Sequence, residues 1–142
     1  MKVSAKTEYA CIAMLELAEQ YQAGEPVRIR SIAERHGVPA HFLVQILLQL
    51  KAAGLVTSVR GAGGGYKLIQ PPEDISLGAV MAVIDGADEK LTSSASADSP
   101  AACVLQDAWQ EVCGVERAML DSINFAELID RAVIRSSQMY YI

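Results

Sequence analysis

A mainly α-helical fold with one small β-hairpin and a long C-terminal helix is what the sequence predicts, and three observations carry that expectation. A glycine-rich stretch from Gly54 to Ile69 lies between two short β-branched and aromatic runs and reads as a hairpin. Two helix-period stretches meet at a three-residue corner, Gly37-Val38-Pro39. From Ala101 onward, apolar residues step by four and three, the spacing of a helical seam.

From Thr7 to about Ala23, Tyr9, Ala13, Leu17 and Tyr21 recur at helical spacing, with Ala10, Met14 and Ala18 beside them. Cys11 lies near that face and reads as a small buried thiol. Gly24-Glu25-Pro26 breaks this helix, and a second, Ile29 to His36, is stopped by Gly37. Pro39 suits the first position of a third helix, where its missing N–H costs nothing. Phe42, Leu43, Ile46, Leu47, Leu50 and Ala53 form that helix's apolar face, and Gly54 stops it. Two helices around a corner, followed by a glycine-looped hairpin, make a winged helix-turn-helix over residues 1–86.

The outward positions early in the third helix are Ala40, His41, Val44 and Gln45, with Gln49 and Lys51 further along. In this geometry the first turns of the recognition helix meet base edges in the major groove, so His41 and Gln45 are the candidate readers. His41 reads equally as a surface or capping residue. In the hairpin, Leu55 to Val59 and Tyr66 to Ile69 are the arms, and Gly61, Gly63, Gly64 and Gly65 let the connecting backbone approach another molecule closely. Arg60 at the base of that loop suits a narrow minor groove. Taken alone, the loop reads as a structural hairpin; the helices before it turn the reading towards DNA. A phosphate cradle is excluded by spacing, because neither a P-loop nor a dinucleotide fingerprint is present. Lys6, Arg28, Arg30 and Lys67, with Arg60, Gly63 and Gly64, complete the expected DNA-contacting set.

A net charge of −5 hides an asymmetry: residues 1–70 carry +3 and residues 71–142 carry −8. This is the pattern of a basic binding face with an acidic remainder, or of an acidic solvated surface. An apolar fraction of 51% excludes a disordered chain. No apolar run approaches a membrane span and no secretory leader is visible, so a cytoplasmic protein is expected. Three cysteines, at 11, 103 and 113, make neither a disulfide framework nor a close-spaced zinc pair.

Pro71-Pro72 closes the hairpin, and a fourth helix is expected from Ile75 to Ile84, ended by Asp85-Gly86. Residues 87–100 have almost no large apolar side chains and are expected as a flexible loop. The third unit, 101–142, opens with the seam Ala101, Leu105, Ala108, Val112, Val115 and Met119, with Trp109 and Leu120 giving a second apolar side. About 22 residues at roughly 1.5 Å each make a helix near 33 Å long. Such a seam is buried within its own chain or pairs with a second copy. A dimer sets two recognition helices about one DNA turn apart, which favours the second alternative. A short last helix, Phe125 to Ile134, is expected with Asn124 as its N-cap.

Four segments resemble a known family: Lys-Val-Ser-Ala-Lys-Thr-Glu-Tyr-Ala near the start, Leu-Val-Thr-Ser-Val-Arg-Gly-Ala-Gly-Gly-Gly-Tyr-Lys-Leu in the hairpin, Ile-Ser-Leu-Gly-Ala-Val after it, and the late Asn-Phe-Ala-Glu-Leu. They are similar to the Rrf-two superfamily of bacterial transcription regulators. The resemblance implies a homodimeric repressor whose long C-terminal helices cross, with Arg60 in the minor groove and recognition positions at His41, Val44 and Gln45. The family's iron-sulfur regulator has a glutamate where this chain has Val44, so the base preference there differs. Sensing members hold an iron-sulfur cluster on three cysteines before the long helix, and only Cys103 falls on one of those positions. Glu8 matches an acidic residue that supplies a ligand in some members, and Gln106 stands where the iron-sulfur regulator has a histidine. No cofactor is therefore expected, with Cys103 and Glu8 the candidate metal ligands if one is bound. Cys113 lies about 15 Å along the helix from Cys103, too far to cooperate within one chain.

The expected function is a dimeric DNA-binding transcription regulator acting on a double-stranded operator. The alternatives are an interaction module that docks on a metabolic enzyme through the acidic half, and a cluster-binding redox sensor. An enzyme is not expected, since His36 and His41 lie in the DNA-binding half and no nucleophile and base pair is visible.

Overall fold

The computed structural model describes residues 1–86 and 91–140. In chain order the elements are α1 (Ala5–Glu19), α2 (Ile29–His36), α3 (Ala40–Ala52), β1 (Val56–Val59), β2 (Gly65–Leu68), a 3-10 turn (Pro72–Asp74), α4 (Leu77–Asp85), α5 (Pro100–Ser122) and α6 (Phe125–Tyr140). β1 and β2 pair antiparallel, with Val56 opposite Leu68 and Val59 opposite Gly65. The mainly helical architecture with one hairpin is the one the residue pattern predicts.

Side-chain caps set several boundaries that periodicity misplaces. Ser4 Oγ accepts the Thr7 backbone N–H at 3.1 Å, so α1 starts before Thr7. It also ends before Ala23, because residues 20–24 tighten into turns in which the Gly24 N–H reaches the Gln20 and Tyr21 carbonyls. Pro39 caps α3 from outside, its ψ of 127° being extended, and the helix begins at Ala40. α4 begins at Leu77, since Ser76 Oγ accepts from the Ala79 N–H at 3.0 Å and Ile75 stays extended. Ser99 caps α5 and Pro100 takes its first turn, so the expected loop ends two residues early. Within that loop, residues 87–90 lie outside the described residues, and 91–98 are exposed and form no helix or strand. Asn124 Oδ1 accepts the Glu127 N–H at 2.9 Å as expected of an N-cap, but α6 runs six residues beyond Ile134.

The core gathers Met14 and Leu17 from α1, Ile32 from α2, Leu43, Ile46, Leu47 and Leu50 from α3, Val56 from β1, Val80 from α4 and Phe125 from α6. Gly37 makes the α2–α3 corner possible: its φ of 65° is left-handed, and the next residue, Val38, is buried. Backbone bonds from Leu77 N to Ile123 O (2.7 Å) and from Phe125 N to Ile75 O (3.0 Å) tie the start of α6 to the start of α4. α5 packs along α4 yet contributes no buried residue.

Candidate nucleic-acid interface

α3 is divided sharply between its two faces. Leu43, Ile46, Leu47 and Leu50 are fully buried, while His41, Val44, Gln45 and Leu48 are exposed. Burial of four large aliphatic side chains on one stripe fixes the rotation of the helix, and with it the direction of the opposite stripe. Phe42 was expected in the core and is instead 41% exposed, its ring 5.9 Å from that of Tyr9 and 4.5 Å from that of His41. It lies one position from the buried stripe and rests against α1 at the rim. Ala53, also expected in the core, is exposed because it is the C-cap, beyond the last regular turn. Gln49 is half-buried rather than outward, and its Oε1 has no hydrogen-bond partner among the described residues. Lys51 is committed to the fold: its Nζ donates to Ser58 Oγ at 2.8 Å, linking the end of α3 to β1.

The hairpin that follows α3 stands on a fixed root. Val27 and Tyr66 exchange two backbone hydrogen bonds of 2.8 Å, which joins the segment entering α2 to β2. Gly65 passes so close to that segment that a Cβ would lie 2.4 Å from the Val27 carbonyl oxygen. Arg28 follows immediately and is exposed, so the structure brings Arg28, the exposed Lys67 and the loop together. Arg60 and Gly63 are exposed in that loop. Gly64 belongs to it as well, and the structure gives its glycine an internal reason. It is buried, and a Cβ there would sit 2.2 Å from the Val59 carbonyl, so its glycine serves closure of the loop on itself. Arg30 is exposed and paired with Glu34 at 2.9 Å, one turn along α2. Lys6 is half-buried in the first turn of α1.

One device escaped the sequence reading. Glu16 is a buried acid on α1, and its two oxygens take Arg35 Nη1 at 3.3 Å and His36 Nε2 at 2.6 Å. It clasps the last turn of α2 just before the corner that sets α3. The available signal was an acid flanked in helical spacing by the buried Ala13 and Leu17. His36 and His41, five residues apart, thus have separate surroundings: His36 meets Glu16 with its side chain 32% exposed, and His41 is exposed on the outward face of α3. Cys11 is where the apolar pattern put it: burial, then the nearby Asp85 carboxylate, pushes its thiol up to about 11, so it stays protonated.

Comparison with known proteins identifies this arrangement. Residues 3–131 match the Rrf2 family model, described as iron-dependent transcriptional regulator. The chain belongs to the Rrf2 family. It is 35% identical over 131 residues to the HTH-type transcriptional regulator IscR of Aliivibrio salmonicida, covering 91% of this chain and 77% of that one. A rrf2-like putative regulator of Rhodobacter capsulatus is 36% identical, covering 89% of this chain and 91% of the relative. Among solved structures, CymR, the global cysteine regulator of B. subtilis, superposes with a TM-score of 0.81 at 30% identity, covering 92% and 98% of the two chains. IscR of T. potens does so at 0.76 and 37% identity, covering 93% and 88%. Rrf2 proteins are transcription regulators and not enzymes, as the absence of a catalytic constellation in the sequence predicts.

The iron named in the family description has to be set against the donors this Rrf2 chain offers. Cys103 is exposed at the start of α5 with its Sγ 3.9 Å from the Ala97 carbonyl, Glu8 is exposed on α1, and Cys113 lies ten residues further along α5. Cys11 is held as a thiol inside the fold. Among the described residues no three His, Cys, Asp or Glu side chains converge, so the donor set of one chain does not fit a three-thiolate cluster.

Proposed function

We propose that this Rrf2 protein is a homodimeric repressor that binds a double-stranded operator, with α3 in the major groove and the Arg60 loop in the adjacent minor groove. The observation that carries the reading is the exposed first half of α3, His41, Val44 and Gln45, together with an exposed Arg60 in a loop whose root is bonded to the entry of α2. His41 and Gln45 read bases; Arg28, Lys67, Lys6 and Arg30 neutralise phosphates. The second copy is supported by α5, where Leu105, Val112, Val115 and Met119 are 51–71% exposed in a single chain. Apolar side chains in one stripe on a long helix are the surface a symmetric partner covers. Repression works by occupancy of the operator, without the three-cysteine cluster.

Binding of the DNA upstream of its own gene, followed by fluorescence anisotropy across a salt series, tests this reading. Arg60→Ala is expected to weaken binding and to flatten the salt dependence by about one counterion, because a lost guanidinium leaves one phosphate charge unneutralised. Unchanged slope and affinity would remove the loop from the groove.

A further inference from the structure

The outward stripe of α3 consists of two pairs. Residues 41, 44, 45 and 48 recur at the spacing of one helix face, and each pairs with the residue four positions from it. His41 and Gln45 make a polar pair; Val44 and Leu48 make an apolar pair alongside it. Val44 is 44% and Leu48 53% exposed. The apolar pair cannot turn inward, because the rotation of α3 is set by Leu43, Ile46, Leu47 and Leu50, and turning it would bring those four buried side chains into water.

A single exposed aliphatic side chain is ordinary on a protein surface. Two of them one turn apart, on the helix proposed to enter the major groove, make a contact surface of definite size. Side chains four positions apart on a helix stand about 5–6 Å from Cβ to Cβ, a gap that one methyl group fills. The chemistry of the groove then selects the occupant. Along the major-groove edges, guanine, adenine and cytosine are recognised by their hydrogen-bond donors and acceptors, and thymine alone adds an apolar group, its 5-methyl. Val44 and Leu48 have no side-chain donor or acceptor to offer, so a polar base edge set against them would lose its water without replacement. A thymine methyl set there leaves water together with both side chains, which is favourable for all three. We propose that Val44 and Leu48 form a seat for the 5-methyl group of one thymine in each operator half-site, beside the hydrogen-bonding pair His41 and Gln45. The seat rests on the docking of α3 in the major groove proposed above, and it adds to that docking which base is chosen and by which atoms.

Replacement of thymine by deoxyuridine tests the seat, because it removes the methyl and keeps every hydrogen-bonding group. Binding-site selection with the full chain yields an operator, and each of its thymines is then replaced in turn, with affinity read by fluorescence anisotropy. At one thymine position, wild-type binding is expected to weaken about fourfold for each half-site substituted, the equivalent of one methyl-sized group returned to water. In Val44→Ser, thymine and deoxyuridine at that position should bind alike, and in Leu48→Ser the difference should shrink. Both positions are exposed, so both variants should fold, and the scan of the wild type needs neither. A selected half-site without thymine, equal wild-type affinity with deoxyuridine at every position, or a methyl effect undiminished in both variants would overturn the seat while leaving the docking of α3 standing. A selection that enriches no sequence would overturn the docking, and the seat with it.

Discussion

α3 and α5 are both helices with an exposed stripe, and they differ in what lies opposite it. α3 buries four aliphatic side chains completely, and its outward stripe mixes His41 and Gln45 with Val44 and Leu48. α5 buries none, and its outward stripe is Leu105, Val112, Val115 and Met119, with Val104 and Trp109 beside it. A helix already anchored by its own chain can present polar groups that lose little in water and gain specificity on a groove. A helix without such an anchor carries its apolar surface to the outside, and gains most from a like surface on another molecule. On the proposed function, exposure has two meanings here: polar exposure on a fixed frame would serve recognition, and apolar exposure on a helix without a buried stripe would serve assembly.

The contrast can be broken first at the anchor. Leu47→Ala should cost about 2–5 kcal/mol of stability in urea unfolding, because a fully buried side chain leaves a cavity, whereas Leu48→Ala, on the exposed side of the same helix, should stay within about 0.5 kcal/mol. Comparable losses from the two would dissolve the two-faced description of α3. Val112→Asp should cost at least about 2 kcal/mol per subunit of dimer stability, since a carboxylate would be desolvated without a partner. Light scattering reads this directly, and a dimer that persists at the same concentration would exclude the stripe from assembly. Gln45→Ala and His41→Ala sharpen the comparison from the other side. Each should cost about 1–3 kcal/mol on the preferred operator and relax one base position in a binding-site selection, while leaving the dimer intact. The same sequence preference in both variants would mean that α3 contacts backbone alone.

What the sequence showed of this division follows from range. The hairpin, the Gly37 corner and the α5 seam each depend on residues within a few positions of one another, and each was legible. The exposure of Phe42 was not, because its place at the rim is decided by Tyr9, more than 30 residues earlier. The Glu16 clasp joins α1 to the last turn of α2, a pairing to which helical periodicity is blind. Gly64 was legible as a glycine in the loop, but not the crowding at its position, which comes from the Val59 carbonyl across the loop. Caps shifted the helix starts by one or two residues because a serine side chain, not the apolar pattern, decides where the first free N–H is satisfied.

The paired hydrogen bonds between Val27 and Tyr66 have a metrical consequence. They tie the stem of the hairpin to the entrance of α2, so that, on the proposed docking, the gap between the recognition helix and the wing would behave like the jaws of a fixed gauge. Only the stretch between β1 and β2 lies beyond that stem. On the proposed docking, an operator half-site would be measured as well as read: one added base pair between its major-groove and minor-groove positions moves them apart by about 3.4 Å along the axis, against a stem tied at Val27 and Tyr66.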